Sequence, residues 1–174
     1  MPRFPATFAL IAALAAGCVP VPVPIPVVAG MAASSARPLP ASSPAFADFD
    51  RHFNAFRAAN GASPLASNAA LDKVAADHAA YLAATGQLTH RDALGNRASQ
   101  RVRRAGITTC GAGENLAEGY ATAQGALAGW QASPGHRANM LSTRYANYGL
   151  GRAGRIWVLV MALPCQARAA DRPI

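Results

Sequence analysis

Large apolar residues recur at helical spacing where the folded part of the chain begins. Phe46, Phe49, Phe53 and Phe56 are three or four residues apart, so their rings share one face of a helix. Gly61 follows the last of these aromatic residues, and glycine commonly ends a helix. The pattern therefore predicts an amphipathic helix that ends around Gly61 and turns its aromatic face towards the core.

A second helix is predicted from about Asn68 to Thr85, where apolar residues again fall on one face. That face is formed by Leu71, Val74, Ala75, His78 and Leu82. His78 therefore points inward, which favours a hydrogen-bonded core histidine over a functional residue. Two further helices are predicted over residues 93–105 and 122–132.

The segment 133–136, Ser-Pro-Gly-His, has the composition of a helix start. Serine is a favourable N-cap and proline suits the first helical position, so a short helix is predicted from here through Met140 or Leu141. His136 then takes the third helical position, where the helix dipole disfavours the charged imidazolium. A neutral imidazole can bind a metal or accept a proton. The alternative is that His136 only satisfies local backbone groups.

The hydrophobic pattern changes near the C-terminus. Residues 155–163 are apolar on both alternating faces after the first arginine, which is typical of a strand covered on both sides. Residues 148–152 join this strand through Ala153-Gly154, which predicts a hairpin. Early helices and late paired strands predict an α+β protein with a small, mainly antiparallel sheet between two helical layers.

The N-terminal third differs in composition. Residues 1–18 combine Arg3, a short apolar run and Gly17-Cys18, which is typical of an export signal and resembles a bacterial lipobox. In that interpretation Cys18 is acylated and anchors the protein to a membrane, whereas ordinary signal cleavage is the alternative. Residues 19–45 are rich in proline, alanine and serine and predict an extended linker.

The predicted order is therefore signal segment, linker, a folded domain at 46–166 and a tail at 167–174. This organisation predicts a protein exported to the bacterial cell envelope, where it faces the periplasm, or secreted.

Two cysteines remain once Cys18 is assigned to the anchor. Because an exported chain meets oxidising conditions, Cys110 and Cys165 are predicted to form a disulfide. Closing that loop would stabilise the fold by roughly 4 kcal/mol in the chain-entropy model. The alternative is a pair of buried free thiols.

The formal net charge of +8 comes mainly from scattered arginines. Only Arg101, Arg103 and Arg104 cluster, and no aromatic residue lies beside them, so nucleic-acid binding is not expected. The positive charge fits attraction to anionic lipid head groups or acidic envelope polymers better than it fits nucleic-acid binding. A solvated helix face is the simpler explanation.

Only two residues of the chain are glutamates, Glu114 and Glu118, and histidines lie on either side at His90 and His136. Two imidazoles and a carboxylate with an open fourth position would suit a divalent metal such as zinc, although the spacing matches no compact zinc motif. Ser133 is better explained by helix capping than as a nucleophile, since no Gly-x-Ser-x-Gly elbow is present.

Several motifs in order resemble the bacterial branch of the CAP superfamily, which joins cysteine-rich secretory proteins, antigen 5 and plant pathogenesis-related proteins. The resemblance covers residues from about Phe46 to Leu163. The matching residues are Asn54-Ala-Phe-Arg57, Asn60-Gly61, Leu65, Thr89-His90, Gly113-Glu114-Asn115-Leu116-Ala117 with Gly119, Trp130, Ser133-Pro-Gly-His136-Arg137-Ala-Asn139-Met-Leu141, Gly149-Leu-Gly151 and Trp157.

This resemblance implies a secreted α/β/α sandwich with a polar cleft. In animal and plant members the cleft has two histidines and two glutamates, and some members bind a divalent metal there. His90 matches the first histidine and Glu114 the first glutamate, whereas Ser133 stands where the second glutamate is expected. His136 belongs to the bacterial Ser-Pro-Gly-His motif, and Asn115 adjoins Glu114 in the same cleft.

Three functional hypotheses follow. The resemblance favours a binding or interaction module that holds a lipid or another envelope component in its cleft. The second hypothesis is a hydrolase in which His90 and His136 hold zinc and Glu114 completes the site or acts as general base. The third is a purely structural polar cluster. The sequence identifies neither the ligand nor the oligomeric state.

Overall fold

The computed structural model describes residues 46–165. The predicted signal segment with Cys18, the linker at 19–45 and the tail at 167–174 lie outside the described residues.

Five helices and four strands form within residues 46–165. They are α1 (Ala47–Ala59), β1 (Ala66–Ser67), α2 (Ala69–Thr85), α3 (Ala98–Arg104), β2 (Gly111–Glu118), α4 (Ala123–Ala132), α5 (Pro134–Leu141), β3 (Asn147–Ala153) and β4 (Ile156–Leu163). None of these helices has the length and apolar character needed to cross a membrane.

The four strands form one sheet in the order β1-β3-β4-β2. β4 pairs antiparallel with both β2 and β3, and the two-residue β1 pairs parallel with β3. Strand β2 therefore lies at an edge of the sheet. The mainly antiparallel sheet and the α+β class agree with the prediction.

Helices cover the two faces of the sheet and make two separate cores. On one face, α2 and α3 pack against Val158 and Val160 of β4. On the other, α1, α4 and α5 pack against Trp157, Leu159 and Met161. Because successive residues of β4 point to opposite faces, its continuous apolar run fills both cores, and the result is the predicted three-layer sandwich.

The aromatic stripe of α1 lies in the second of these cores, as predicted. Phe49 and Phe53 are fully buried, and both rings contact the ring of Tyr148 on β3. The hydroxyl of Tyr148 donates a hydrogen bond of 2.8 Å to Asp50 of α1. Tyr148 thus joins α1 to the sheet through both aromatic contacts and a hydrogen bond.

Three parts of the secondary structure differ from the prediction, and one of them is the two-residue strand β1, which was not predicted. The third helix begins at Ala98 and not at 93, because the carboxylate of Asp92 accepts hydrogen bonds from the backbone of Leu94 and Asn96 and stabilises a turn there. Strand β2 was not predicted. Its glycines and polar residues are typical of a loop, and pairing with the apolar β4 gives the segment its strand conformation.

The disulfide between Cys110 and Cys165 is present, with the two Cα atoms 4.8 Å apart. Both cysteines are exposed, so the alternative of two buried thiols is wrong. The bridge lies just before β2 and just after β4, where Thr109 also donates a hydrogen bond to the carbonyl of Leu163. It therefore fastens the edge strand to the centre of the sheet.

Helix α2 lies unusually close to β3 because β3 has glycine at positions 149 and 151. An added Cβ on Gly151 would lie 2.1 Å from the backbone nitrogen of Ala76 and 2.2 Å from the carbonyl carbon of Ala75. No side chain can move aside to relieve such a contact, because both atoms belong to the helix backbone. The Gly-Leu-Gly motif thus sets the distance between the helix and the sheet.

Replacing Gly151 with alanine should lower the free energy of unfolding by about 1 to 3 kcal/mol, because the helix must move away from the sheet to make room for the added Cβ. Gly135→Ala is the matched control, since a Cβ there meets no atom within 4 Å. Urea unfolding of both variants measures the difference. Equal midpoints for the two variants would contradict the close approach.

Candidate functional site

Glu114 and Asn115 are neighbours on the edge strand but point to opposite faces of the sheet. Glu114 pairs with Val160 and Asn115 pairs with Leu159, residues that belong to the two different cores. Glu114 therefore faces the layer of α2 and α3, and Asn115 faces the layer of α4 and α5. The predicted cleft residues are divided between the two sides of one strand.

The Glu114 carboxylate is buried and is bound by two groups. Its side chain is 4% exposed. Oε1 accepts a hydrogen bond of 2.8 Å from Nδ1 of His90, and Oε2 accepts one from the guanidinium of Arg101. A buried carboxylate is stable only when it is paired and hydrogen-bonded, and here both oxygens have partners.

Arg101 joins this carboxylate to the loop before α3. The same guanidinium donates hydrogen bonds to the carbonyl oxygen of His90 at 3.1 Å and to that of Asn96 at 2.8 Å. Because Arg101 lies on α3 and is largely buried, it fixes the loop at two points relative to the edge strand. The position of His90 therefore depends on Arg101 as well as on Glu114.

His78 completes the buried side of this cluster. It is fully buried on α2, where Nε2 donates a 3.0 Å hydrogen bond to the carbonyl of Thr89, and this agrees with the predicted hydrogen-bonded core histidine. Nε2 also lies 3.9 Å from Oε1 of Glu114. Burial lowers the pKa of His78 and Arg101 acts in the same direction, whereas Glu114 acts against them. A neutral His78 thus lies behind the carboxylate.

His90 is the exposed member of the cluster, with half of its side chain accessible to solvent (50%). Since Nδ1 donates to the Glu114 carboxylate, Nε2 is the ring nitrogen left for other partners. The ring borders an open cavity of about 240 Å³. The cavity is lined by His90, Arg97, Ala98, Ser99, Ala112 and Glu114.

On the other face of β2, amide groups fix helix α5 to the strand. Asn115 donates to the carbonyl oxygen of His136 at 3.1 Å and accepts from Asn139 at 2.9 Å. Asn139 also donates to the backbone carbonyl of Glu114 and accepts from the hydroxyl of Tyr145. Because Asn115 is fully buried, its side chain is used for this attachment and not for the cleft surface.

Helix α5 begins as predicted, at Pro134, and places His136 in its first turn. Burial lowers the pKa of His136, and the charge of His90 acts in the same direction. The predicted direction agrees with this lowered pKa, and burial is its largest cause. Ser133 takes the N-cap position, but its hydroxyl makes no capping hydrogen bond.

These residues do not fit a zinc site. One Glu114 oxygen is bound by a permanently charged guanidinium and the other by His90, so a cation at this carboxylate would lie beside the fixed positive charge of Arg101. Within residues 46–165, no group of three or more His, Cys, Asp or Glu side chains is arranged to hold a metal ion. His136 is also absent from the residues that line the cavity beside His90.

Sequence reasoning missed the two residues that organise the site from within. Arg101 was treated as part of a surface cluster, and Asn139 was only one residue of a family motif. An arginine followed by Val102 on a helix with a buried face was a signal that one arginine of the cluster turns inward. No comparable signal in the sequence pointed to the role of Asn139.

Glu114→Ala should lower the free energy of unfolding by about 3 to 5 kcal/mol, because the Arg101 guanidinium is left buried without its acid partner. Glu118→Ala is the matched control, since the second glutamate of the chain is exposed at the end of the same strand. Its change should stay within about 0.5 kcal/mol. Chemical denaturation of both variants tests the expectation, and a Glu114 variant as stable as the control would refute it.

Comparison with known proteins agrees with this architecture. Residues 51–155 match the family model described as CAP, the cysteine-rich secretory protein family. The uncharacterized protein YkwD of Bacillus subtilis (strain 168) is 29% identical over 106 residues, which are 60% of this chain and 41% of YkwD. The chain therefore spans about two fifths of the length of that relative.

Solved structures show the same fold. An extracellular protein of Bacillus anthracis that contains an SCP domain aligns with 25% identity and a TM-score of 0.64, over 67% of this chain and 39% of the other. An outer surface protein of Borrelia burgdorferi aligns with 21% identity and a TM-score of 0.62, over 67% of this chain and 90% of the other.

A cysteine-rich secretory protein of Staphylococcus aureus has 23% identity and a TM-score of 0.54, over 67% of this chain and 37% of the other. The last two structures are under 25% identical, so their likeness supports the fold alone. The family match spans more than half of the chain and includes the edge strand and the His90–Glu114 pair. This chain belongs to the CAP family of cysteine-rich secretory proteins.

Proposed function

We propose that this protein is an exported CAP-domain protein that works as a binding or interaction module in the bacterial cell envelope. The observation that supports this role best is the exposed His90 ring, held by a buried and fully paired carboxylate beside an open cavity. A rigidly held hydrogen-bonding group at the mouth of a cavity is typical of a binding site. The ligand binds on the α3 side of the edge strand.

Export is supported by the composition of residues 1–18 and by the structural relatives. Two of these relatives are described as an extracellular protein and an outer surface protein. In the proposed arrangement Cys18 is acylated and anchors the chain to the membrane, and the proline-rich linker separates the anchor from the domain. The disulfide between Cys110 and Cys165 suits the oxidising conditions outside the cytoplasm.

The lining of the cavity favours a small polar group as the bound part of the ligand. Arg97 donates hydrogen bonds and carries a positive charge, and Nε2 of His90 accepts a hydrogen bond. Arg101 neutralises the Glu114 carboxylate, so a bound anion would not meet an unpaired negative charge. The phosphate and hydroxyl groups of a lipid head group or an envelope polymer match this lining.

The alternative of a metal-dependent hydrolase gains no support from the geometry. A general base needs a carboxylate that can take up a proton beside the substrate. Both oxygens of Glu114 are committed to Arg101 and His90. A purely structural role for the cluster explains why Arg101 and His78 are buried beside Glu114. It does not explain why half of the His90 side chain is exposed to solvent.

Glycerol phosphate is a suitable probe, because it contains the chemical groups shared by head groups and envelope polymers. Titration of the isotopically labelled protein should shift the NMR signals of His90, Arg97 and Ser99. His90→Ala should weaken binding about tenfold or more, roughly the effect of losing one hydrogen bond to a charged or polar ligand group.

His52→Ala is the control, since His52 is an exposed histidine on α1, in the opposite layer. It should leave the affinity unchanged. Shifts confined to other parts of the protein, or equal losses in both histidine variants, would count against a binding role for the cavity.

A further inference from the structure

The loop before α3 presents an exposed leucine on a rigid turn. Leu94 is 71% exposed, and Leu88, at the start of the same loop, is 48% exposed. Within residues 46–165 these two are the large hydrophobic side chains left exposed by the fold. Single exposed apolar residues are common, so the surroundings of Leu94 decide whether its exposure has a use.

The turn that holds Leu94 is fixed by its own polar groups. Oδ1 of Asp92 accepts hydrogen bonds from the backbone nitrogens of Leu94 at 2.9 Å and Asn96 at 2.8 Å. The Arg91 guanidinium donates to the carbonyl of Gly95 at 2.8 Å. The leucine is therefore held away from the core by an ordered turn.

Four of the arginines in and after this turn have no acid partner within residues 46–165. Segment 91–104 contains five arginines and one aspartate. Arg101 is paired with Glu114, but no carboxylate within residues 46–165 forms an ion pair with the other four. Those four are Arg91, Arg97, Arg103 and Arg104, and all are exposed.

The nearby carboxylates do not cancel this charge. Asp92 and Asp77 border the same cavity as Arg104. The Asp92 carboxylate is occupied by the turn, and Asp77 is paired with Lys73 at 2.9 Å. The loop at 88–97 and the exposed arginines of α3 are called here the Leu94 surface, which carries an exposed leucine and four arginines without ion-pair partners among the described residues.

We infer that the Leu94 surface docks on an anionic phospholipid bilayer. An acidic bilayer attracts arginines near its surface, and its apolar interior accepts an exposed leucine. The arginines alone would also suit a soluble acidic polymer, but such a polymer offers nothing to Leu94. The combination of charge with a projecting apolar residue therefore favours the bilayer.

This inference rests on the proposed envelope location and names its partner. The same loop carries His90, and Arg97 belongs both to the Leu94 surface and to the cavity. Docking would bring the cavity mouth close to the lipid head groups. A protein anchored through Cys18 would then contact the bilayer at a second place, which orients its cleft.

Vesicle binding of the full chain tests the inference, with Cys18→Ser present throughout so that no acyl chain contributes. Vesicles of phosphatidylcholine alone are compared with vesicles that also contain phosphatidylglycerol, at low and at high salt. Binding should require phosphatidylglycerol and weaken at high salt, because salt screens exposed charges. Equal binding to both vesicle types would overturn the inference.

Three variants separate the two contributions. Leu94→Ser should weaken vesicle binding about tenfold. The double variant Arg103→Gln with Arg104→Gln should weaken it by about fivefold for each arginine removed. The control, Arg51→Gln with Arg144→Gln, removes the same charge at exposed positions outside the Leu94 surface and should bind nearly as the parent does. Equal losses in the two arginine pairs would show a general charge effect and overturn the inference.

Two further readouts address the position of the leucine and the identity of the partner. A tryptophan placed by Leu94→Trp should shift its emission to the blue on phosphatidylglycerol vesicles, whereas Ala58→Trp on α1 should not. If soluble polyglutamate binds equally well and Leu94→Ser has no effect on either partner, the surface recognises acidic polymers and the inference is wrong. Failure here leaves the glycerol phosphate titration unaffected, so docking and the cavity function are tested separately.

Discussion

The buried carboxylate of Glu114 is the interaction on which the site depends. It is placed on an edge strand, where a charged side chain could have faced water, yet it is enclosed by α2, α3 and the loop between them. Arg101 supplies the charge that makes this burial tolerable and holds the loop through two backbone carbonyls. His90 is then positioned on its outer side, where Nδ1 is bound to the carboxylate and half of the side chain is accessible to solvent.

The edge strand also explains why the site is divided. Alternation along β2 sends Glu114 towards α3 and Asn115 towards α5, so one strand fixes the structures on both of its sides. Asn115 and Asn139 attach α5 through amide hydrogen bonds. The disulfide just before the strand fastens the start of β2 to the end of β4. His90 and His136 belong to segments that pack on different faces of the sheet, and the strand lies between the two layers.

Much of the fold could be predicted, because in most elements the local sequence pattern favours the same conformation as the tertiary packing. The phenylalanine stripe of α1, the apolar run of β4 and the Ser-Pro start of α5 each follow from spacing or capping chemistry. Strand β2 could not be predicted from its own residues, because its conformation is imposed by pairing with β4. The same limit applied to the site. Glu114 was identified from its rarity and its family motif, but its ion partner lies on another element, and only the packing of α3 shows which arginine turns inward.

The zinc hypothesis illustrates the same limit. A list of ligand types, His90, Glu114 and His136, describes a chemically reasonable metal site. It does not reveal that a guanidinium already neutralises the carboxylate. In this protein the cation at the glutamate is Arg101. This cation is a fixed side chain of α3, so the carboxylate is neutralised without an exchangeable ion.

The most direct test of this account is a double-mutant cycle on the buried pair. Urea unfolding of the parent, Arg101→Met, Glu114→Gln and the double variant gives the coupling energy between the two side chains. The account predicts that each single change strands the other group, so the double variant loses less stability than the sum of the single losses, by about 2 kcal/mol or more. Additive losses would contradict it, because they would mean that Arg101 and Glu114 do not stabilise one another.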